Sequence, residues 1–130
     1  MPKKIMVIDD EPDILIYLMT ALEDNGYETC TIEENESIRK AVLDKKPDLI
    51  VLDIMMPRRS GISMYKELRT ISAFKNIPIA LISGMSQAKD FMEEGLKKLI
   101  GDDTIPPPDG FIEKPIRLPA LMKIVEQLLE

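Results

Sequence analysis

Short apolar runs and longer amphipathic stretches alternate along the whole chain. Runs such as Ile5–Ile8 and Leu49–Leu52 have no polar face, which is typical of parallel strands covered on both sides. Between these runs, apolar residues recur at spacings of three and four, and this period predicts helices. The first helix opens at Pro12, a residue suited to a first helical turn, and its predicted inner stripe is Ile14, Leu15, Leu18, Ala21, Leu22 and Asn25.

The same two patterns predict the remaining elements. Residues 27–32 alternate and are polar enough for an edge strand, residues 77–82 form a fourth strand, and residues 111–112 form a short fifth strand. The predicted inner faces of the later helices are Ile38, Ala41 and Val42; Ile62, Tyr65, Leu68 and Ile71 or Ser72; Ala88, Phe91, Met92, Leu96 and Leu99; and Leu121, Ile124, Val125 and Leu128. Five strands alternating with five helices predict a doubly wound α/β fold with a parallel sheet and right-handed crossovers.

Polar residues able to do chemistry follow four of the predicted strands. Asp9 and Asp10 follow the first strand, Asp53 the third, Ser83 the fourth and Lys114 the fifth. In open α/β sheets, ligands bind at the carboxyl ends of the strands, where the strand order reverses. One such residue alone would mean little, but the agreement of four strand ends predicts a functional site at this edge.

Three carboxylates gathered at one edge repel one another. At ~4 Å and an effective dielectric constant of ~20, each close pair costs on the order of 4 kcal/mol. A hard divalent cation relieves this repulsion, and oxygen ligands without His or Cys indicate Mg²⁺ or a similar ion such as Mn²⁺. With the metal and Lys114 in place, Asp53 could attack a phosphoryl group, and the same cations would stabilise the transition state.

Composition excludes several other classes of function. The chain has 130 residues, 45% of them hydrophobic and 31% charged, which is typical of one globular domain. It has no His, so Ser-His-Asp and Cys-His mechanisms and His-ligated zinc are excluded, and the single Cys30 cannot form an internal disulfide. A net charge of −6 without a basic stripe argues against direct nucleic-acid binding. Neither a membrane helix nor a signal peptide is visible, so a cytoplasmic location is expected.

Four segments together resemble the receiver domain of two-component response regulators. They are "VIDDEPDI", "IVLDIMMPRRSG", "LIS" and "FIEKPI", and the resemblance covers nearly the whole chain as a single domain, residues 1–130. It implies a flavodoxin-like sheet with strand order 2-1-3-4-5. It also implies that Asp53 is the phosphoacceptor and that Asp9 and Asp10 bind the metal together with Asp53 and the backbone carbonyl of Met55.

The resemblance assigns roles to three further residues. Ser83 resembles the switch hydroxyl that hydrogen-bonds the phosphoryl group. Lys114 resembles the phosphate-binding lysine, with a cis peptide bond expected before Pro115. Phe111 matches the aromatic switch position.

The family resemblance also implies partners and an output. A histidine kinase or phosphotransfer protein would phosphorylate Asp53, and the surface of the fourth helix, fifth strand and fifth helix would then change. The reader of this change would be a downstream protein or a neighbouring domain. The chain would act as a phosphoacceptor and not as an enzyme in the ordinary sense.

One segment departs from the family pattern. The connection between the fourth helix and the fifth strand, around residues 96–110, is longer than family members usually have, and it contains "GDDTIPPPDG". Its three prolines stiffen it. Because it borders the surface that many receivers use for dimerisation, we do not expect the common dimer to transfer to this chain.

Several alternatives remain open at this point. Asp10 or Glu11 could cap the first helix, Ser83 could be a turn residue, and Phe111 could be an ordinary core residue. A degenerate receiver could bind partners without phosphorylation. An aspartyl-phosphate phosphatase is a further alternative, although such enzymes carry an acid two residues after the nucleophile, where this chain has Met55. Flavin binding is weakly supported, since no hydroxyl-rich loop follows the first strand.

Overall fold

One parallel sheet forms the centre of the protein. The computed structural model describes residues 2–54, 56, 60–84, 98, 101 and 104–130. The strands found in these residues are β1 (Lys4–Ile8), β2 (Glu28–Cys30), β3 (Leu49–Asp53), β4 (Ile79–Ser83) and β5 (Gly110–Glu113). They pair in parallel in the order β2-β1-β3-β4-β5. The predicted strand order and the position of β2 at an edge are confirmed.

Helices cover both faces of this sheet. The described helices are α1 (Pro12–Asp24), α2 (Ile38–Lys45), α3 (Gly61–Thr70) and a C-terminal helix (Leu118–Leu128), with a short 3-10 turn at Ser72–Phe74. The predicted helix through Ala88 and Leu99 lies outside the described residues, apart from Lys98. In the described ranges no helix combines the length and the apolar character that a membrane crossing requires.

Two apolar clusters lie on opposite faces of the sheet. Along β1, Met6 and Ile8 belong to the cluster under α2 and α3, whereas Ile5 and Val7 belong to the cluster under α1 and the C-terminal helix. These four residues are all at most 2% exposed. The two-sided burial explains why the central strands have no polar face, and it agrees with the prediction from their all-apolar runs.

Some predicted boundaries and inner faces were wrong. Asn25 is exposed at the end of α1, where its side-chain amide donates to the carbonyl of Ala21, so it is a terminal residue of the helix and not part of the inner stripe. In α3, Met64 is buried and Ile62 only half-buried. Strand β4 begins at Ile79 because the N–H of Ile77 donates to the carbonyl of Phe74 in the turn before the strand, and Pro78 has no N–H to donate.

The proline-rich connection is fastened to α3 just before β5. Ile105 and Pro108 are buried, whereas Pro106 and Pro107 are exposed. The hydroxyl of Tyr65 donates to the carbonyl of Pro106 at 2.6 Å. The three-residue spacing of the buried positions is typical of an extended, polyproline-like segment with one side turned inward.

A charged pair completes this attachment. Asp109 accepts a hydrogen bond from the backbone N–H of Ile79 at 2.9 Å and forms an ion pair with Arg69. The guanidinium of Arg69 also donates to the carbonyls of Lys75 and Ile77, and it lies 5.5 Å from the centre of the Tyr65 ring. The connection therefore enters β5 along a fixed path.

Removal of the Tyr65 hydroxyl tests this attachment. We expect Tyr65→Phe to lower the free energy of unfolding by about 1 kcal/mol, because the Pro106 carbonyl loses its donor. Tyr17→Phe is the matched control, since Tyr17 is 45% exposed on α1. Urea unfolding of both variants measures the difference, and equal stability of the two would contradict the proposed role of this hydrogen bond.

Candidate functional site

Apart from Phe111, the predicted site residues that the structure describes lie at the carboxyl edge of the sheet. Asp9 follows β1, Asp53 ends β3, Ser83 ends β4 and Lys114 follows β5. Parallel pairing sets their relative positions, with Asp53 opposite Ile82 and Ser83 opposite Glu113. Asp9, Asp53 and Ser83 are buried, at 8%, 0% and 0% exposed, respectively. Buried polar groups at neighbouring strand ends are unusual unless they pair with each other or with a ligand.

Three carboxylates converge at this edge. Asp9, Asp10 and Asp53 each offer one oxygen, and these oxygens all lie within 4.8 Å of one another. Oδ1 of Asp9 accepts a hydrogen bond from the backbone N–H of Glu11 at 2.9 Å. Oδ2 of Asp9 is buried and has no hydrogen-bond donor among the described residues. An unsatisfied carboxylate oxygen beside two further carboxylates fits a hard divalent cation such as Mg²⁺.

Among the residues that the structure describes, one lysine faces these acids. The ammonium of Lys114 lies 3.1 Å from Oδ2 of Asp53, 3.6 Å from Oδ2 of Asp9 and 3.6 Å from Oε1 of Glu11. Burial alone would lower the pKa of Lys114, but the hydrogen bond to Asp53 and the charges of Asp53, Asp9 and Glu11 together raise it. The lysine is therefore held as a cation. The predicted cis peptide bond between Lys114 and Pro115 is present.

The carboxyl of Asp9 is poorly stabilised as an anion. Its pKa is raised, first by burial and then by the negative charge of Asp53, although the N–H of Glu11 and the charge of Lys114 act in the opposite direction. A raised pKa means that the charged form of the carboxyl is destabilised, and a cation bound beside it would stabilise that form. The electrostatics of the described residues thus favour a positive charge at this position.

The start of α1 decides the helix-capping alternative. Glu11 is the N-cap residue, but its side chain makes no capping hydrogen bond, and its carboxylate instead contacts Lys114. Asp10 is exposed and belongs to the carboxylate group. The capping interpretation is therefore wrong for Glu11. The contact of Glu11 with Lys114 was not predicted, although its place directly after Asp9 and Asp10 was the available signal.

A glycine at the start of α3 also shapes the site. Gly61 is the first residue of α3, after the N-cap Ser60, whose hydroxyl accepts from the N–H of Ser63 at 3.1 Å. A Cβ atom on Gly61 would lie 2.3 Å from the carbonyl oxygen of Asp53 and 2.4 Å from the Cα atom of Ile54. Only a residue without a side chain lets α3 approach the backbone of Asp53 this closely.

The remaining predicted residues differ in how far the structure describes them. Ser83 is fully buried at the end of β4, and its carbonyl accepts from the N–H of Lys114 at 2.8 Å. Phe111 is half-buried in β5 and packs against the cluster under α2 and α3. Met55 lies outside the described residues, as does most of the segment between Ser83 and Thr104.

Comparison with known protein families gives one match along nearly the entire chain. The sequence profile described as "Response regulator receiver domain" matches residues 5–126. Its matched range begins in β1 and ends in the C-terminal helix, so it includes every candidate site residue named above.

Curated relatives and solved structures agree with this match. The phosphate regulon transcriptional regulatory protein PhoB of Pseudomonas aeruginosa is 34% identical over 121 residues, covering 93% of this chain and 52% of that protein. The alkaline phosphatase synthesis transcriptional regulatory protein PhoP of Bacillus subtilis is 46% identical over 69 residues, covering 53% of this chain and 29% of that protein. The chain thus spans about half, or less, of the length of these relatives. Chemotaxis protein CheY4 of Vibrio cholerae superposes with a TM-score of 0.78 at 25% identity, covering 99% of this chain and 100% of that one.

Proposed function

This chain belongs to the response regulator receiver domain family, and from that premise we propose that Asp53 accepts a phosphoryl group in a two-component signalling pathway. The observation that carries the proposal is the position of Asp53. Its carboxylate is buried at the end of β3, 3.1 Å from the Lys114 ammonium and beside the carboxylates of Asp9 and Asp10. A carboxylate nucleophile needs this combination of fixed position and nearby positive charge.

The transfer is a substitution at phosphorus. A carboxylate oxygen of Asp53 forms a bond to the phosphorus of a phosphohistidine, while the bond from phosphorus to the imidazole nitrogen breaks. The nitrogen keeps the electron pair of the broken bond, and the product is an aspartyl phosphate. Lys114 binds an oxygen of the phosphoryl group, and the hydroxyl of Ser83 donates to another.

A divalent cation completes this site. Asp9, Asp10 and Asp53 would hold Mg²⁺ or Mn²⁺, together with the backbone carbonyl of Met55 that the family resemblance implies. When bound, the ion supplies positive charge that offsets the carboxylates and the phosphoryl oxygens. The chain acts as a phosphoacceptor and not as an enzyme that turns over a separate substrate.

The partners are two kinds of protein. A histidine kinase or a phosphotransfer protein supplies the phosphoryl group in the cytoplasm, and a downstream protein or a neighbouring domain reads the phosphorylated state. Residues 1–130 would form one receiver domain with a long connection around residues 96–110. The net charge of −6 supports a protein reader over direct contact of this domain with nucleic acid. Ser83 and Phe111 would transmit the structural change caused by phosphorylation towards β5 and the C-terminal helix.

Intact-mass spectrometry after incubation with acetyl phosphate and Mg²⁺ tests the proposal. We expect the wild type to gain the mass of one phosphoryl group and Asp53→Asn to gain none. Asp10→Asn should be labelled far more slowly, because one of the proposed metal ligands is lost. Asp44→Asn is the control for loss of a carboxylate elsewhere, since Asp44 is exposed on α2. Labelling of Asp53→Asn at the wild-type rate would contradict the assignment.

A further inference from the structure

Glu11, the third acid that contacts Lys114, is much more exposed to solvent than Asp9 and Asp53. The side chains of Asp9 and Asp53 are 0% and 1% exposed, whereas that of Glu11 is 62% exposed. All three have an oxygen within 3.6 Å of the lysine ammonium. Glu11 therefore contacts the lysine from the solvent side, while the aspartates contact it from inside the site.

The backbone at Glu11 is held on both sides. Its N–H donates to Oδ1 of Asp9 at 2.9 Å, and its carbonyl accepts from the N–H of Leu15 at 3.0 Å in the first turn of α1. The exposed side chain thus projects from a fixed point, and its negative charge stays near the mouth of the site. An incoming phosphoryl donor has to place its oxygens at Lys114, where it meets this charge.

We propose that Glu11 is a specificity-determining residue for small-molecule phosphoryl donors. Its negative charge disfavours strongly anionic donors relative to less negatively charged donors that carry the phosphoryl group on nitrogen. This inference rests on the proposed phosphorylation of Asp53. A fixed negative charge repels a doubly charged anion more strongly than a singly charged one. Removal of the charge should therefore raise the phosphorylation rate constant more with the doubly charged donor than with the singly charged one. Release of Lys114 from its contact with Glu11, in contrast, should help both donors alike.

Acetyl phosphate and phosphoramidate are suitable probes because they lead to the same product. With either donor, a carboxylate oxygen of Asp53 forms a bond to phosphorus. With acetyl phosphate, the bond between phosphorus and the bridging oxygen breaks and acetate leaves. With phosphoramidate, the bond between phosphorus and nitrogen breaks and ammonia leaves. At neutral pH, acetyl phosphate is a doubly charged anion, whereas phosphoramidate is a zwitterion with a single net negative charge.

The experiment measures the phosphorylation rate constant with each donor at fixed ionic strength and saturating Mg²⁺. Glu11→Gln should raise the rate constant with acetyl phosphate about fivefold and that with phosphoramidate about twofold or less. When the series is repeated at a higher salt concentration, the rate increases with the two donors should become more similar, because salt screens the charge of Glu11. Glu11→Asp keeps the charge and should leave the ratio of the two rate constants near the wild-type value. Glu113→Gln is the matched control, because Glu113 is an exposed glutamate directly before Lys114.

The outcomes separate this inference from the proposed function. An unchanged ratio in Glu11→Gln, or an equal shift in Glu113→Gln, would overturn the role of Glu11 while leaving phosphorylation of Asp53 intact. A wild-type chain labelled by neither donor would overturn the proposed function and this inference with it. A role of Glu11 in folding alone would change both rate constants together and would not move their ratio.

Discussion

Replacing Gly61 with alanine should lower the free energy of unfolding by about 3 kcal/mol or more and should slow phosphorylation of Asp53. The added Cβ atom would lie 2.3 Å from the Asp53 carbonyl oxygen and 2.4 Å from the Cα atom of Ile54. Both contacts are with backbone, so no side-chain rotation can relieve them. The start of α3 would have to move away from the end of β3, where Asp53, the proposed phosphoacceptor, lies.

Gly84→Ala is the matched control for this prediction. Of the described residues, a Cβ atom there would meet the Cδ atom of Lys114 alone, at 4.0 Å, which is an ordinary contact distance. We expect its stability to stay within about 1 kcal/mol of wild type, because Gly→Ala at an uncrowded site mainly restricts the unfolded chain. Urea unfolding and the labelling rate with acetyl phosphate measure both effects. Equal stability of Gly61→Ala and Gly84→Ala would show that α3 does not approach the backbone of β3 as closely as described.

Replacing Lys114 with methionine should destabilise the metal-free protein by about 3 kcal/mol at neutral pH. The variant leaves the buried carboxylates of Asp9 and Asp53 without the cation that lies 3.6 Å and 3.1 Å from them, respectively. Millimolar Mg²⁺ should restore much of this loss, because the ion supplies the missing positive charge. Lys123→Met, an exposed change on the C-terminal helix, is the control.

The pH dependence of this variant follows from Asp9. Its pKa in the folded protein is already above 3.8, the ordinary value of an aspartate, and Lys114 is one of the groups that lower it. Without Lys114 the folded state binds the Asp9 proton still more tightly than the unfolded chain does. Stability should therefore rise as the pH falls through the raised pKa towards 3.8, and the deficit relative to wild type should shrink in that window. A stability deficit of Lys114→Met that changes with neither pH nor Mg²⁺ would contradict this account of the site.

Much of the fold could be predicted because burial on both faces leaves a strong signal in the sequence. The all-apolar runs of β1 and β3 and the polar character of β2 placed these strands correctly in the sheet. Boundaries were less predictable because local hydrogen bonds decide them. The start of β4 depends on the 3-10 turn at Ser72–Phe74 and on Pro78, and neither appears in a pattern of hydrophobicity.

The candidate site was predictable where it depends on topology. Parallel strands bring their carboxyl ends together, so the positions of Asp53, Ser83 and Lys114 followed from their places in the sequence. The contributions of Glu11 and Gly61 depend on distances between elements, which residue spacing does not give. The same holds for the attachment of the proline-rich connection. Its prolines predicted stiffness, but not the hydrogen bond from Tyr65.

The central claim, that Asp53 carries the phosphoryl group, is tested most directly by chemical trapping. Borohydride reduces an aspartyl phosphate to homoserine, which marks the modified residue in a peptide mass map. After incubation with acetyl phosphate and Mg²⁺, we expect homoserine at position 53 in the wild type, and at no position when the donor is omitted. Homoserine at position 9 or 10 with none at 53, or no homoserine in a sample that has gained phosphoryl mass, would contradict the claim.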